Sequence, residues 1–284
     1  MIVKDNFDLT EYNAYRVKAV CRRAYFPQSG ADVASLFGEG QPQRIVIGSG
    51  HNLLLSKSVY DDEFVVFNGN FDAINIEGET IKAEAGATLE RISELARDHS
   101  LTGMEVFWDI PSSLGGAVAM NAGASGEEIK DVLVNVTYFH IPSQTIRTMQ
   151  KEDMGFIYRN SYFQDNRDTV VLEAELRLAK GDPQAIRDKM EDIKEKRWAK
   201  QPRTYPNCGS VFKRPPGRFV GPMIDELGLK GFRIGGAEVS EKHSGFIINV
   251  GNATGADIIA IIKEVKARVL DKFGVDLEVE QRII

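Results

Sequence analysis

The sequence predicts an α+β protein, on three observations. Apolar and polar residues alternate with period two in several stretches and recur at helical spacing in several others. The two kinds of stretch do not succeed one another in the regular rhythm of βαβ units. A segment of mostly small residues, 109–126, lies among them with little side-chain mass to build a core. The 284 residues suffice for two or three modest domains.

Up to about residue 70 the chain reads as short strands and turns, with one helix at 32–37. Arg16, in Asn13-Ala14-Tyr15-Arg16-Val17, reads as a solvated strand residue. Ile45-Val46-Ile47 reads as a buried strand entering a tight loop at Gly48-Ser49-Gly50. Ile74 and Ile76, then Ile81, Ala83 and Ala85, form a hairpin about a turn at 77–80. Thr88 is the N-cap of a helix whose buried stripe is Leu89, Ile92, Leu95 and Ala96. Residues 132–140 and 144–149 form a second hairpin. In 170–178, Val171, Glu173, Glu175 and Arg177 oppose Leu172, Ala174, Leu176 and Leu178, a strand with one wet side. Asp182-Pro183 starts a helix with Ile186, Met190 and Ile193 as its apolar face, ended by Gln201-Pro202. Thr254 and Asp257 make a capping box for a helix buried through Ile258, Ile261, Ile262, Val265 and Val269 and closed by Gly274. The tail alternates, with Val275, Leu277, Val279 and Ile283 on one face and Asp276, Glu278, Glu280 and Arg282 on the other.

Composition excludes several classes. Hydrophobic content of 43% and charged content of 27% are those of a soluble globular protein. A net charge of −6 does not indicate a nucleic-acid partner. Cys21 and Cys208 form neither a disulfide framework nor a metal spacing. The N-terminus has no export h-region and no apolar run reaches the roughly 18 residues of a membrane span, so a cytoplasmic protein is expected.

Some stretches point to chemistry. Gly115-Gly116, Gly123 and Gly126 allow positive φ and close approach of a ligand, and rows of backbone N–H groups suit an anion such as a pyrophosphate. The pattern is not GxGxxG, and a glycine-rich turn packed between elements explains it equally well. Residues 203–233 carry Arg203, Lys213, Arg214, Arg218, Lys230 and Arg233 against Asp225 and Glu226, which suits an anionic ligand or a solvated face. Ser210 follows a glycine, Arg159 stands among Phe156, Tyr158, Tyr162 and Phe163, and Glu280 lies on the polar face of the tail. Each has a structural alternative: a turn hydroxyl, an arginine stacked on Tyr158 or Phe163, a wet strand residue. These residues alone do not assemble into one site.

The stretches together resemble the UDP-N-acetylenolpyruvoylglucosamine reductase family. That family is known by a G-x-G-(S)-N-L loop, a P-x-x-x-G-G-A-x-x-M-N-A-G-A-x-G loop, F-x-Y-R-x-S-x-F, G-S-x-F and a terminal E-x-R. Here these stand at 48–53, 111–126, 156–163, 209–212 and 280–282, in the family's order and across nearly the whole chain. The resemblance implies a two-subdomain FAD-binding region of the covalent-flavin-oxidase-like (PCMH-type) fold, plus a C-terminal α+β substrate-binding domain. It places the first FAD-binding subdomain at 1–70, joined by the strand 274–284, the second at 71–184 and the substrate domain at 185–273. The Lys213-Arg214-Pro215-Pro216-Gly217 form and the missing tyrosine-loop insertion resemble the family's shorter subclass.

The implied activity is that of a UDP-N-acetylmuramate dehydrogenase, an oxidoreductase of cytoplasmic peptidoglycan precursor synthesis, acting as a monomer. Non-covalent FAD carries a hydride from NADPH to the enolpyruvyl double bond of UDP-N-acetylglucosamine enolpyruvate. Carried over residue by residue, Ser210 is the proton donor, Arg159 stabilises charge on the substrate carboxylate, and Glu280, protonated, polarises it. FAD falls to Gly48, Ser49, Gly50, His51, Asn52 and Leu53, with Pro111, Ser112, Gly115, Gly116, Asn121, Ala122 and Gly123, through backbone contacts. Substrate falls to Tyr158, Lys213, Arg214 and His243, and no metal is implied. Asp109 and Ser112 stand where the family usually has glycine, Ala14 where it has threonine, Pro222 where it has lysine and His51 where it has serine. Two alternatives stay open: a sugar oxidase of the same fold with FAD attached through His51, and a catalytically silent UDP-sugar-binding protein.

Overall fold

The period-two stretches fold as strands. Ile74–Glu77 pairs antiparallel with Thr80–Glu84, with Glu77 opposite Thr80. Leu133–His140 pairs with Thr145–Gln150, and Thr169–Arg177 lies between the two hairpins. The five-stranded sheet therefore runs Thr145–Gln150, Leu133–His140, Thr169–Arg177, Thr80–Glu84, Ile74–Glu77. In the strand Thr169–Arg177 the buried residues are Val170, Leu172, Ala174 and Leu176, as a pleat with one wet face requires.

Helix Leu89–Asp98 starts at its expected cap, Thr88 Oγ1 accepting the Arg91 N–H at 3.1 Å. Its stripe differs in one place: Leu95 is half-buried and Ser93 is buried. Ser93 is tolerated inside because its hydroxyl donates to Met104 O at 2.9 Å. Helix Pro183–Lys200 starts where Asp182 Oδ1 accepts the Ala185 N–H at 2.8 Å, and buries Ile186 and Met190.

The structure is a computed structural model that describes residues 1–38 and 40–284. These form two compact units, one of residues 1–5, 23–49 and 62–196, the other of 6–22, 50–61 and 197–284. The first holds the five-stranded sheet and a core built on Ile81, Leu89, Ile92, Phe107, Leu114 and Leu176. It also buries an ion pair: Arg44 Nε donates to Glu63 Oε2 at 2.9 Å, and the Tyr25 hydroxyl donates to the same oxygen at 3.1 Å. Sharing the carboxylate between two donors limits the cost of burying it.

In the second unit a sheet of Arg233–Ile234, Ala237–Val239 and Ile247–Asn249 packs with helix Gly255–Phe273. That helix is capped as its sequence predicts. Thr254 Oγ1 accepts the Asp257 N–H at 3.1 Å, and Asp257 Oδ2 accepts the Thr254 N–H at 2.9 Å. Gly274 ends it at φ +66°, its N–H on Leu270 O at 2.9 Å. Gly255 is needed for contact: a Cβ there would lie 2.0 Å from Leu55 O. The short strand Arg282–Ile283 pairs parallel with Leu53–Leu54. Among the described residues no helix is long and apolar enough to cross a membrane.

Two expectations are corrected. The tail's inward face ends early: Leu277 and, at the same parity, Gln281 are buried, but Ile283 is 43% exposed. The polar Gln281 is accommodated inside because its amide pairs with buried hydrogen-bonding groups. Arg16 is exposed but is not in a strand; it sits at φ +54° in a turn, paired with Glu11. The turn is closed by Asn13, whose side chain bonds both the N–H and the carbonyl of Val17, each at 3.0 Å.

Two outcomes follow from this packing. Thr254→Ala removes one half of the capping box, and chemical denaturation should register a loss of about 1 kcal/mol with an unchanged m-value. Cys21 and Cys208 are both buried, and burial pushes the Cys208 thiol up to about 12. Iodoacetamide at pH 8 should therefore label neither thiol in the native protein and both after unfolding; labelling of Cys208 in the native state would contradict this packing.

Candidate active site

In the second unit, residues 210–213 form a central extended segment. On one side Ser210 bridges Phe246, and the Val211 N–H reaches Gly245 O at 3.0 Å. On the other side Phe212 bridges Val279, the Lys213 N–H donates to Glu278 O at 2.9 Å and the Glu280 N–H donates to Val211 O at 2.8 Å. The structure thus brings Ser210 and Glu280 onto paired segments although they lie 70 positions apart. Ser210 is exposed and Glu280 half-buried. Gly209, just before Ser210, is at φ +75°, a conformation that favours glycine. Asn52 fixes the far side, its Nδ2 donating to Glu280 O at 3.1 Å while its carbonyl accepts the Arg282 N–H at 3.0 Å.

The expected substrate residues lie in this unit, except Tyr158. Lys213 Nζ is 2.7 Å from Glu278 Oε1, and the Arg214 guanidinium covers the exposed Phe219 ring at 4.6 Å. His243 is half-buried; its Nδ1 accepts the Gly245 N–H at 3.1 Å, which places any ring proton of the neutral form on Nε2. Burial lowers its pKa from the ordinary 6.5. Pro222 stands in the first turn of helix Val220–Glu226, where a missing N–H leaves no helical bond unmade.

In the first unit, Gly48 and Ser49 follow the strand Ile45–Ile47 and meet the start of helix Leu114–Met120. Ser49 and Ser113 exchange hydrogen bonds, each N–H donating to the other's Oγ, at 3.3 and 3.1 Å. A Cβ on Gly48 would lie 2.2 Å from Ser113 Oγ. The amides that follow serve the protein itself: Ser112 N–H to Ile110 O at 2.8 Å, Leu114 N–H to Ala87 O at 2.8 Å and Gly115 N–H to Ala85 O at 2.9 Å. Of the glycines expected at positive φ in this segment, only Gly126 has it, at +93°. Gly115 and Gly123 are required for proximity instead, since their Cβ atoms would lie 3.0 Å from Ala85 Cβ and 2.1 Å from Glu127 O. Asp109 and Ser112 are not at positive φ, so these positions do not demand glycine here.

Arg159 sits against the end of that helix. Its guanidinium donates to Asn121 O at 3.3 Å and Gly123 O at 2.7 Å, and covers the Tyr158 ring at 5.1 Å. Arg159 itself is at φ +57°, a conformation that costs a non-glycine residue of order 1 kcal/mol. Asn121, at φ +46°, holds the loop by donating to Ile157 O at 3.0 Å and Glu128 Oε2 at 2.9 Å. Ser161 adds a bond from its hydroxyl to Ala119 O at 2.8 Å. The structure thus joins Arg159, Asn121 and Gly123, and joins Ser49 to the start of the same helix. Gly48, Ser49, Gly116, Ala122 and Gly123 are small and half-buried, with the Arg159 guanidinium against Gly123 O.

Sequence reasoning passed over Tyr15, Gln281 and Asn249. All three are buried and form one hydrogen-bonded group. The one available signal was a polar residue at the variable position of Glu280-Gln281-Arg282.

Known proteins resemble this arrangement along the whole chain. A family model described as UDP-N-acetylenolpyruvoylglucosamine reductase, C-terminal domain, matches residues 201–284, and one described as an FAD binding domain matches residues 25–149. A UDP-N-acetylenolpyruvoylglucosamine reductase of Syntrophomonas wolfei is 40% identical over 99% of this chain and 95% of its own. That of Francisella tularensis is 36% identical over 99% of this chain and 100% of its own. The crystal structure of the Thermus caldophilus reductase matches with a TM-score of 0.84 at 28% identity, covering 99% of this chain and 98% of that one. With relatives this similar over their full length, the chain belongs to the UDP-N-acetylenolpyruvoylglucosamine reductase family.

Proposed function

We propose that this chain reduces the enolpyruvyl double bond of UDP-N-acetylglucosamine enolpyruvate to give UDP-N-acetylmuramate, with NADPH as reductant, in cytoplasmic peptidoglycan precursor synthesis. The carrying observation is the pairing of the Ser210 segment with the Glu280 segment, in a chain whose full-length relatives bear the reductase name. FAD, when bound, supplies the hydride chemistry. The small residues Gly48, Ser49, Gly116, Ala122 and Gly123 suit close approach of such a cofactor, and the FAD-binding match over 25–149 supports it. Pro111, Ser112, Gly115 and Asn121 belong with them, while Gly50, His51, Asn52 and Leu53 continue the loop.

The chain's own residues handle charge and the proton. Reduction at the β-carbon of the enolpyruvyl group builds negative charge on the α-carbon and its carboxylate. Arg159 stabilises that charge, and its bonds to the Asn121 and Gly123 carbonyls hold the guanidinium in place beforehand. Glu280, protonated, hydrogen-bonds the carboxylate without repelling it. Ser210 gives its hydroxyl proton to the α-carbon, completing the lactyl ether. The exposure of Ser210 and its fixed place on a paired segment support this role. Lys213 and Arg214 bind the substrate diphosphate, with Tyr158 and His243 as further contacts; Lys213 exchanges Glu278 for the ligand when it binds. The chain acts as a monomer. The three-part division at 1–70 with 274–284, 71–184 and 185–273 remains our functional division, supported by the pairing of Arg282–Ile283 with Leu53–Leu54. The full-length relatives favour this reading over the covalent-FAD oxidase and the silent binding protein.

An anaerobic absorption experiment tests it. The flavin band should bleach with NADPH and return with the enolpyruvyl sugar, and acid precipitation should leave a yellow supernatant. A band that bleaches and does not return would sink the substrate assignment, and no band after reconstitution with FAD would sink the enzyme. In Ser210→Ala, bleaching should proceed at close to the wild-type rate while the return slows by about a hundredfold or more.

A further inference from the structure

We propose that Gln281 and Tyr15 are positioning residues that together set Ser210 against Glu280. The proposal rests on the reading of Ser210 and Glu280 as the groups that meet the substrate. Gln281 directly follows Glu280 and is 4% exposed; Tyr15 is fully buried. Gln281 Nε2 donates to Cys208 O at 3.3 Å and Gly209 O at 3.5 Å. Its Oε1 accepts the Tyr15 hydroxyl at 3.0 Å. Asn249 Nδ2 donates to Tyr15 O at 2.8 Å, so the tyrosine's own backbone is held. A single side-chain amide therefore grips the two carbonyls that precede Ser210, while its backbone continues from Glu280.

Volume alone does not call for an amide at position 281. A leucine would fill that space without the desolvation penalty of a buried amide. The amide does what a hydrocarbon cannot: it orients a peptide. Gly209 is at φ +75° and has a glycine's freedom, and the plane of the peptide it shares with Ser210 governs the direction of the Ser210 side chain. Anchoring the Gly209 carbonyl to the residue after Glu280 ties that direction to the partner segment. Tyr15 sets which way the amide faces. Its hydroxyl donates to Oε1, which leaves the Nε2 hydrogens toward the carbonyls of residues 208 and 209; the flipped amide would set oxygen against oxygen. Burial raises the Tyr15 pKa well above its ordinary 10.0, so the phenol keeps its proton at any working pH. The Cys208 thiol adds to the grip on this segment, lying 3.2 Å from Leu53 O.

The test measures the two half-reactions of the holoenzyme separately, by anaerobic stopped flow, in Gln281→Leu, Tyr15→Phe and the double variant, with Ser210→Ala as reference. Flavin reduction by NADPH should stay within about twofold of wild type in every variant. Return of the flavin band with the enolpyruvyl sugar should slow by about ten- to a hundredfold in Gln281→Leu and by about three- to tenfold in Tyr15→Phe, in kcat more than in KM. The double variant should be no slower than Gln281→Leu, because the two residues act as one unit. An unchanged return rate in Gln281→Leu while Ser210→Ala is slow would overturn the proposal and leave the catalytic reading standing. Equal losses in both half-reactions would also overturn it, since they mark a general structural defect. A full return rate in Ser210→Ala would bring down the catalytic reading itself, and the positioning proposal with it. If Gln281→Leu does not fold, Tyr15→Phe, which lacks only a hydroxyl, decides: slowed return supports the proposal and unchanged return overturns it.

Discussion

The antiparallel pairing of residues 211–213 with 278–280 is the interaction on which the second unit depends. It consists of few bonds, chiefly Glu280 N–H to Val211 O and Lys213 N–H to Glu278 O. Each contributes a net of only about 1 kcal/mol, and closing so long a loop opposes them. Burial supplies the rest: Val211, Phe212 and Leu277 are all at or below 4% exposure. Helix Gly255–Phe273 is the longest element of the intervening chain and delivers the tail to its partner, so its firm caps bear on the candidate site. The same tail then pairs with Leu53–Leu54, which carries a stretch from early in the chain into a unit built mostly of its end.

The first unit solves a different problem, that of closeness. Helix Leu114–Met120 lies where Gly48, Gly115 and Gly123 leave no room for side chains, and Ser49 with Ser113 ties the loop to the helix reciprocally. Gly48, Gly115 and Gly123 are therefore packing residues, and the left-handed backbone falls to Asn121 and Ser125 as well as to Gly126. Asn121 tolerates that conformation because its side chain bonds to the loop it supports. Arg159 completes the arrangement by donating to the carbonyls of that same turn.

This explains why the chain can depart from its family's pattern. Asp109 and Ser112 take backbone conformations open to any residue, so the usual glycines are dispensable there. Pro222 falls in a first helical turn that accepts it. Among cations of the basic segment, Lys213 is paired with Glu278, Lys230 lies 3.2 Å from Asp225, and Arg214 stacks on Phe219.

Local physics made the α+β class, the hairpin at Ile74–Glu84, the caps at Thr88, Asp182 and Thr254 and the wet-sided strand Thr169–Arg177 legible in the sequence. Each depends on residues within a few positions of one another, and five motifs in one order were enough to indicate the family. What escaped was set by distant partners. The polar Gln281 takes an inward place in the tail because Tyr15, far away in the chain, offers a hydroxyl to bury against. The purpose of Gly115 and Gly123 was misread because only the packed neighbours Ala85 and Glu127 show that space, and not dihedral freedom, is what these glycines supply. The sequence determined the elements and the candidates for chemistry by itself. The tertiary structure decided which side chains face inward and which of those residues share a paired segment, because burial and register belong to the folded chain as a whole.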